Sequence, residues 1–180
     1  MDHTLRTARL SLSPLEESDT AFLKGLFARP EAYQYESTEA KAAGEIEREC
    51  LWYREKTQAL PDDGAIRWIV RYNDARIGEV HVRCKWAQTS DWEIGWYFLP
   101  EYWGNGFATE AGKAVVRHAF AYFKINRLAA FLNAENQRSA ALAERIGMTR
   151  EGRLREVRLI DDVYYDELVF SVLRREHMLE

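Results

Sequence analysis

The residues most able to do chemistry are Leu99-Pro100-Glu101-Tyr102-Trp103-Gly104-Asn105-Gly106-Phe107-Ala108-Thr109-Glu110-Ala111, which join an apolar run to an amphipathic helix. Closely spaced glycines let a backbone approach a ligand. The first N–H groups of a helix lack intrahelical acceptors and can donate to an anion. The chemistry on offer is phosphate or pyrophosphate binding. No GK[ST] follows, so this is not a P-loop, and the third glycine of GxGxxG is missing. Taken alone, two glycines before a helix are also what an ordinary turn contains.

Other reactive side chains offer less. Cys50 and Cys84 fall in a predicted helix and a predicted strand, too isolated for a disulfide framework, and are expected to be reduced core thiols. His3, His81, His118 and His177 lack a metal-ligand spacing such as HExxH, so no metal is expected. Cys84 and His81 are three residues apart on a predicted strand, which sends them to opposite faces and argues against a Cys/His nucleophile. A net charge of -4 and a pI near 5.7 disfavour nucleic acid as the main partner and accommodate a cationic one. Met1 to Leu12 is broken by charges, and no run of about 18 apolar residues occurs, so a soluble, cytoplasmic chain with no membrane partner is expected.

At 180 residues and 47% hydrophobic, the chain can build one core, and a single domain over residues 1–180 is expected. Thr7 to Ser13 alternates and stops at Pro14, which predicts a first strand. A helix capped near Ser18-Asp19 carries Phe22, Leu23, Leu26 and Phe27, and a second is predicted from about Thr38 to Gln58. Tyr33-Gln34-Tyr35 connects them. After Pro61 to Gly64, the runs Ile66–Tyr72 and Arg76–Cys84 form a hairpin through Asn73-Asp74. Trp92 to Leu99 predicts a central strand covered on both faces. A helix over Ala108 to Phe123 and a strand over Leu128 to Leu132 complete a βαβ crossover. A short helix, Ser139 to Ile146, ends at Gly147, and a two-stranded unit of Glu151–Arg158 and Tyr164–Leu173 closes the chain through Asp161-Asp162. The expected fold is α/β, with a mixed, strongly twisted sheet flanked by helices.

The glycine turn resembles the acyl-coenzyme A motif of GNAT acetyltransferases, [Q/R]-x-x-G-x-[G/A], with Gly106 and Ala108 at its last two fixed positions. Trp103 stands where many members have Gln or Arg. That departure resembles the ribosomal-protein N-terminal acetyltransferase branch, whose usual wording is Tyr-Trp-Gly-x-Gly-Phe/Tyr-Ala-Thr-Glu-Ala. Thr7 to Leu15 resembles that branch's opening T-x-R-L-x-L-R-P-L, with Ser13 where Arg is common. Ile77-Gly78-Glu79 and Glu93-Ile94-Gly95-Trp96 look like its central strands. Asn133 to Ala140, followed by Glu144 to Met148, resembles its N-x-x-S helix start and L-G-F end.

The resemblance implies acetyl-CoA as cosubstrate, cradled by Trp103, Gly104, Asn105, Gly106, Phe107, Ala108 and Thr109. It implies backbone contacts to the pantetheine arm and acetyl carbonyl from Trp96, Tyr97 and Phe98, where the central strand splays from the next, a pantetheine contact from Asn136, and Ser139 near the thioester sulfur. Asn136 could instead cap a helix, and Ser139 could equally be a first-turn polar residue. Direct attack by an amine needs no covalent enzyme intermediate. Glu93 is the leading base and Ser139 the donor to the leaving thiolate, with Glu79, His81, Glu156, Tyr164 and Asp166 as further base candidates. Trp52, Trp68, Trp86 and Trp96 are either core or acceptor-pocket residues. The glutamates Glu31, Glu36, Glu39, Glu45, Glu47 and Glu49 suit a cationic acceptor, or form a solvated helix face. The expected acceptor is a peptide N-terminus or a small amino compound, and a homodimer is left open. The alternative is a catalytically weak acetyl-CoA-binding sensor or partner module.

Overall fold

Strand alternation and one helical crossover account for the architecture of the computed structural model, which describes residues 3–36, 40–60 and 62–177. One mixed, open sheet contains β1 (Leu5–Arg6), β2 (Leu10–Pro14), β3 (Ala65–Tyr72), β4 (Ala75–Trp86), β5 (Asp91–Phe98), β6 (Arg127–Asn133), β7 (Thr149–Ile160) and β8 (Val163–Leu173). Their order is β1-β2-β3-β4-β5-β6-β8-β7. Every neighbouring pair is antiparallel except β5 and β6, which are joined by α4 (Phe107–Tyr122) in the expected crossover. The remaining helices are α1 (Thr20–Phe27), α2 (Pro30–Tyr33), α3 (Ala43–Lys56), α5 (Gln137–Arg145) and α6 (Arg174–His177).

Helices cover both faces because the strands carry apolar residues on both. Trp68, Val80, Val82, Trp92 and Ile94 pack with Ala111, Val115, Ala119 and Phe123 in the α4-side core. Ala65 and Ile69 pack with Leu23, Leu26 and Phe27 of α1 and Ile46, Cys50 and Tyr53 of α3. Ala111, Val115 and Ala119 recur every four residues and are fully buried, the stripe that seats α4 on the sheet.

The parallel register of β5 with β6 covers only Asp91↔Arg127, Trp92↔Leu128 and Glu93↔Ala129. Beyond Glu93, β5 stays with β4 as far as Phe98, while β6 stays with β8 as far as Asn133. The two strands therefore diverge and leave a wedge-shaped gap at the C-terminal end of β5.

Several expected boundaries change. Thr7 to Ser13 is not one strand: Leu5↔Leu12 and Arg6↔Ser11 pair across a turn in which the Leu10 N–H donates to Thr7 Oγ1 at 2.9 Å. The long second helix is α3 alone, followed by the 3-10 turn Thr57–Ala59, while the former connector begins with α2. The predicted start at Thr38, Glu39 and Pro61 lie outside the described residues. α5 starts two residues before Ser139, because Asn136 is its N-cap. Gly147, at φ 94, ends the helix as expected. Trp68 is core, whereas Trp52 and Trp86 are exposed, and Cys84, free like the buried Cys50, is only half-buried.

Candidate active site

The gap between β5 and β6 opens into a cleft of about 1370 Å³ that runs from the start of α4 to His81 and Glu93. Its β5 wall offers backbone groups. The Leu99 N–H donates to Ile77 O at 2.9 Å, so alternation turns the amides of Trp96 and Phe98 away from β4 and into the gap. The Phe98 carbonyl is taken by Trp103, whose Nε1 donates to it at 2.8 Å. This explains a Trp where the motif has Gln or Arg: the indole pins the glycine turn to the end of β5.

The turn is shaped for an anion. Gly104 and Gly106 both have φ +77, a left-handed conformation that L side chains rarely adopt. Among the described residues, a Cβ on Gly104 would meet nothing within 4 Å, and one on Gly106 only the Arg9 guanidinium at 3.6 Å. Among the described residues no side chain caps α4, which leaves its first N–H groups facing the cleft. Three cations surround them. Arg9 bonds Asn105 O at 3.0 Å, Arg138 lies 4.6 Å over the Trp103 ring, and Arg145 bonds Thr109 Oγ1 at 3.2 Å. Glu110 anchors the β1–β2 turn to this helix, accepting from Thr7 Oγ1 at 2.5 Å and Arg9 Nε at 2.7 Å. Burial pushes its carboxyl up, but those hydrogen bonds outweigh it and hold it below its ordinary value. Donors and cations of this kind fit the pyrophosphate of a coenzyme A.

Midway along the cleft, Ser139 Oγ accepts from Trp96 Nε1 at 3.3 Å. Asn136 Oδ1 accepts the Ser139 N–H at 3.1 Å, so its oxygen caps α5. At the far end, Glu93 is held by Arg83 at 2.9 Å and Lys85 at 3.4 Å. His81 also lines the cleft, and its Nδ1 lies 3.1 Å from both carboxylate oxygens of buried Glu79.

Residues 9–149 match the family model described as an acetyltransferase (GNAT) domain. The chain belongs to the GNAT acetyltransferase family. Among its relatives, an uncharacterized N-acetyltransferase, YoaA of Bacillus subtilis, is 28% identical over 177 residues, covering 94% of this chain and 96% of that protein. Two solved structures share the fold. RimL, a ribosomal L7/L12 α-N-protein acetyltransferase in complex with coenzyme A, superposes with a TM-score of 0.83 at 18% identity, over 95% of this chain and 98% of the other. A spermidine N-acetyltransferase from Vibrio cholerae, in complex with coenzyme A and spermine, superposes at 0.81 and 22% identity, over 96% and 99%. The protein is therefore an acyltransferase of α/β fold.

Of the residues singled out from sequence, this GNAT fold gathers Glu93, Trp96, Tyr97, Phe98, Trp103, Gly104, Gly106, Phe107, Ala108, Thr109, Asn136 and Ser139 around one cleft. Asn105 is not in its wall: its Nδ2 donates to Trp103 O at 3.0 Å inside the turn. Glu156, Tyr164 and Asp166 also lie elsewhere, on the β7–β8 hairpin, where Asp166 is tied to Arg153 and the Glu156 N–H. The acidic cluster divides. Glu31 and Glu36 line the cleft, Glu36 paired with Arg158 at 2.5 Å; Glu47 pairs with Lys24, and Glu49 with Lys41 and Arg67. Arg9, Arg138 and Arg145 were missed, although Arg138 and Arg145 are seven apart on α5, a spacing that puts them on one face.

Proposed function

We propose that this chain transfers an acetyl group from acetyl-CoA to a primary amine by direct attack within a ternary complex. One observation carries the reading: a single cleft joins an uncapped, cation-lined helix start to an open strand edge and then to an acid-lined mouth. The residues act in that order. Gly104, Gly106 and the first turn of α4, with Arg138 and Arg145, hold the phosphates. Trp96, Tyr97 and Phe98 supply the wall along which the pantetheine arm lies, with the Trp96 N–H aimed where negative charge develops on the acetyl oxygen. Asn136, in the cleft wall, contacts the arm. Ser139 donates its hydroxyl proton toward the departing sulfur. Holding both reactants in one cleft replaces a bimolecular encounter by an oriented one, so no covalent enzyme intermediate is required.

The acceptor must attack as a neutral amine. An α-amine with pKa near 7.7–8.0 is far more often neutral at pH 7 than a lysine ammonium near 10.4. This favours a peptide N-terminus or a small amino compound over an internal lysine, and Glu31 in the cleft wall suits a cationic partner, whereas Glu36 is already paired with Arg158. Two free thiols support a reducing, cytoplasmic setting. The test is mass spectrometry after incubation with acetyl-CoA and a panel of small amines, free N-terminal peptides and N-blocked lysine peptides. Acetylation of the first two groups is expected. Coenzyme binding with no acetylated product would leave a binding module, and preferential modification of internal lysine would overturn the acceptor assignment.

A further inference from the structure

We propose that His81 Nε2 takes the proton that the acceptor nitrogen loses, with Glu79 as the positioning residue beneath it; this deepens, and rests on, the acetyl-transfer reading. The two side chains are two residues apart on β4 and so share the face toward α1 and α3. The 3.1 Å contacts from Nδ1 to both Glu79 oxygens fix the Nδ1–H tautomer and leave Nε2 with a free lone pair.

The surroundings hold this dyad in place. Glu79 is fully buried, and a buried carboxylate is costly unless paired. Its partner is Arg67, 1% exposed, with Nε 3.3 Å away; Arg67 in turn reaches Glu49 of α3 at 2.5 Å. Tyr53 of α3 closes the back, its ring 5.6 Å from the imidazole and 4.2 Å from the Arg67 guanidinium. Arg67 is also the register partner of His81 on β3. On the β5 side stand Gly95, the other register partner, and Glu93, already occupied by Arg83 and Lys85.

Gly95 supplies the route into the cleft. A Cβ at this position would lie 2.5 Å from both Cε1 and Nε2 of His81, so only glycine lets the imidazole edge lie across β5. That crossing is two residues past Glu93, where β5 leaves β6, and next to Trp96. Among the carboxylate and imidazole groups lining the cleft, His81 joins a fixed orientation to an open nitrogen.

The proton balance closes. The amine lone pair forms the C–N bond, the C–S bond breaks, and the departing thiolate takes the Ser139 hydroxyl proton, which solvent replaces. The extra proton on nitrogen passes to His81 Nε2, where Glu79 stabilises the imidazolium until solvent removes it.

The experiment uses the full chain with acetyl-CoA and the best amine from the acceptor panel. His81→Gln is expected to lower kcat/KM by about a hundredfold or more while the coenzyme A dissociation constant changes less than about twofold. The rise of rate with pH that reports imidazole deprotonation should flatten, and added imidazole should restore part of the rate. Glu79→Gln should lower kcat with the coenzyme A dissociation constant unchanged, and Glu79→Asp should restore part of the rate. Independently of turnover, ¹⁵N shifts of His81 in the coenzyme-bound chain should report the Nδ1–H tautomer. Wild-type kcat/KM and pH profile in His81→Gln, or an Nε2–H tautomer, would overturn the proposal; transfer of the pH limb to Glu93→Gln would assign the base there instead. A wild-type chain that binds coenzyme A yet acetylates nothing removes the acetyl-transfer reading and this role with it.

Discussion

The two faces of the β3–β5 ladder use neighbouring residues in opposite ways. Toward α4, Trp68, Val80 and Trp92 are fully buried in an apolar core, and the cleft wall on that side is the one we propose holds the coenzyme. Toward α1 and α3, the adjacent Arg67 and Glu79 are equally buried but charged, and they end at His81. The same strands thus supply cohesion on one side and a fixed electrostatic frame on the other. Burial alone does not distinguish these tasks; the atoms at the end of each side chain do.

The sharpest way to break this comparison is to remove one residue from each face. Trp68→Ala and Arg67→Ala should each cost about 3–5 kcal/mol in urea unfolding, the first through an unfilled cavity, the second by leaving Glu79 buried without its cation. The double variant Arg67→Met, Glu79→Met should return to within about 1 kcal/mol of wild-type stability while acetylation falls at least tenfold. A stable double variant with full activity would mean that the charged face serves folding alone.

The faces should also fail in different pH windows. Burial, with His3 adding to it, pushes His118 on the α4 side down to about 4. The unfolded chain therefore binds this proton first, and stability on the order of 2 kcal/mol should be lost as pH falls from about 6.5 to 4. Glu49 on the other side behaves oppositely: burial pushes it up, but Arg67 and Lys41 outweigh that and hold it at about 2. Its contribution is present above the unfolded carboxyl pKa and is lost only as pH falls from about 4.5 toward 2. Urea midpoints against pH should show the first window vanish in His118→Phe and the second in Glu49→Gln.

Within the α4-side wall, Ser139→Ala should lower kcat by about ten- to a hundredfold with an unchanged coenzyme A dissociation constant, because its hydrogen bond strengthens only as sulfur gains charge. Unaltered turnover where chemistry limits the rate would return Ser139 to a first-turn structural role. Gly106→Val should weaken coenzyme A about tenfold in calorimetry, since φ +77 and backbone approach both exclude a β-branched residue. Smallest is Arg138→Ala, with a loss of about threefold that shrinks as salt rises.

What was legible in the sequence was local. Trp103 to Thr109 reads as an anion turn because glycine conformation and a helix start are neighbours in the chain, and the β5–α4–β6 crossover follows from a buried run, an amphipathic helix and a second buried run. Helix extent was less legible, since α3 is shorter than its charged, weakly periodic segment suggests. On the α1/α3 face the candidates Glu79, His81 and Glu93 were legible, but their partners were not. Alternation places Glu79 and His81 on one face, yet nothing local says that Arg67 lies opposite and Glu49 behind it, or that Arg83 and Lys85 occupy Glu93. Those partners come from α3, β3 and β4, and only strand register and helix docking bring them together. Coulombic and hydrogen-bond energies depend on distances in space, whereas sequence records order along the chain, so the glycine turn belongs to the sequence and the buried charged face to the tertiary structure.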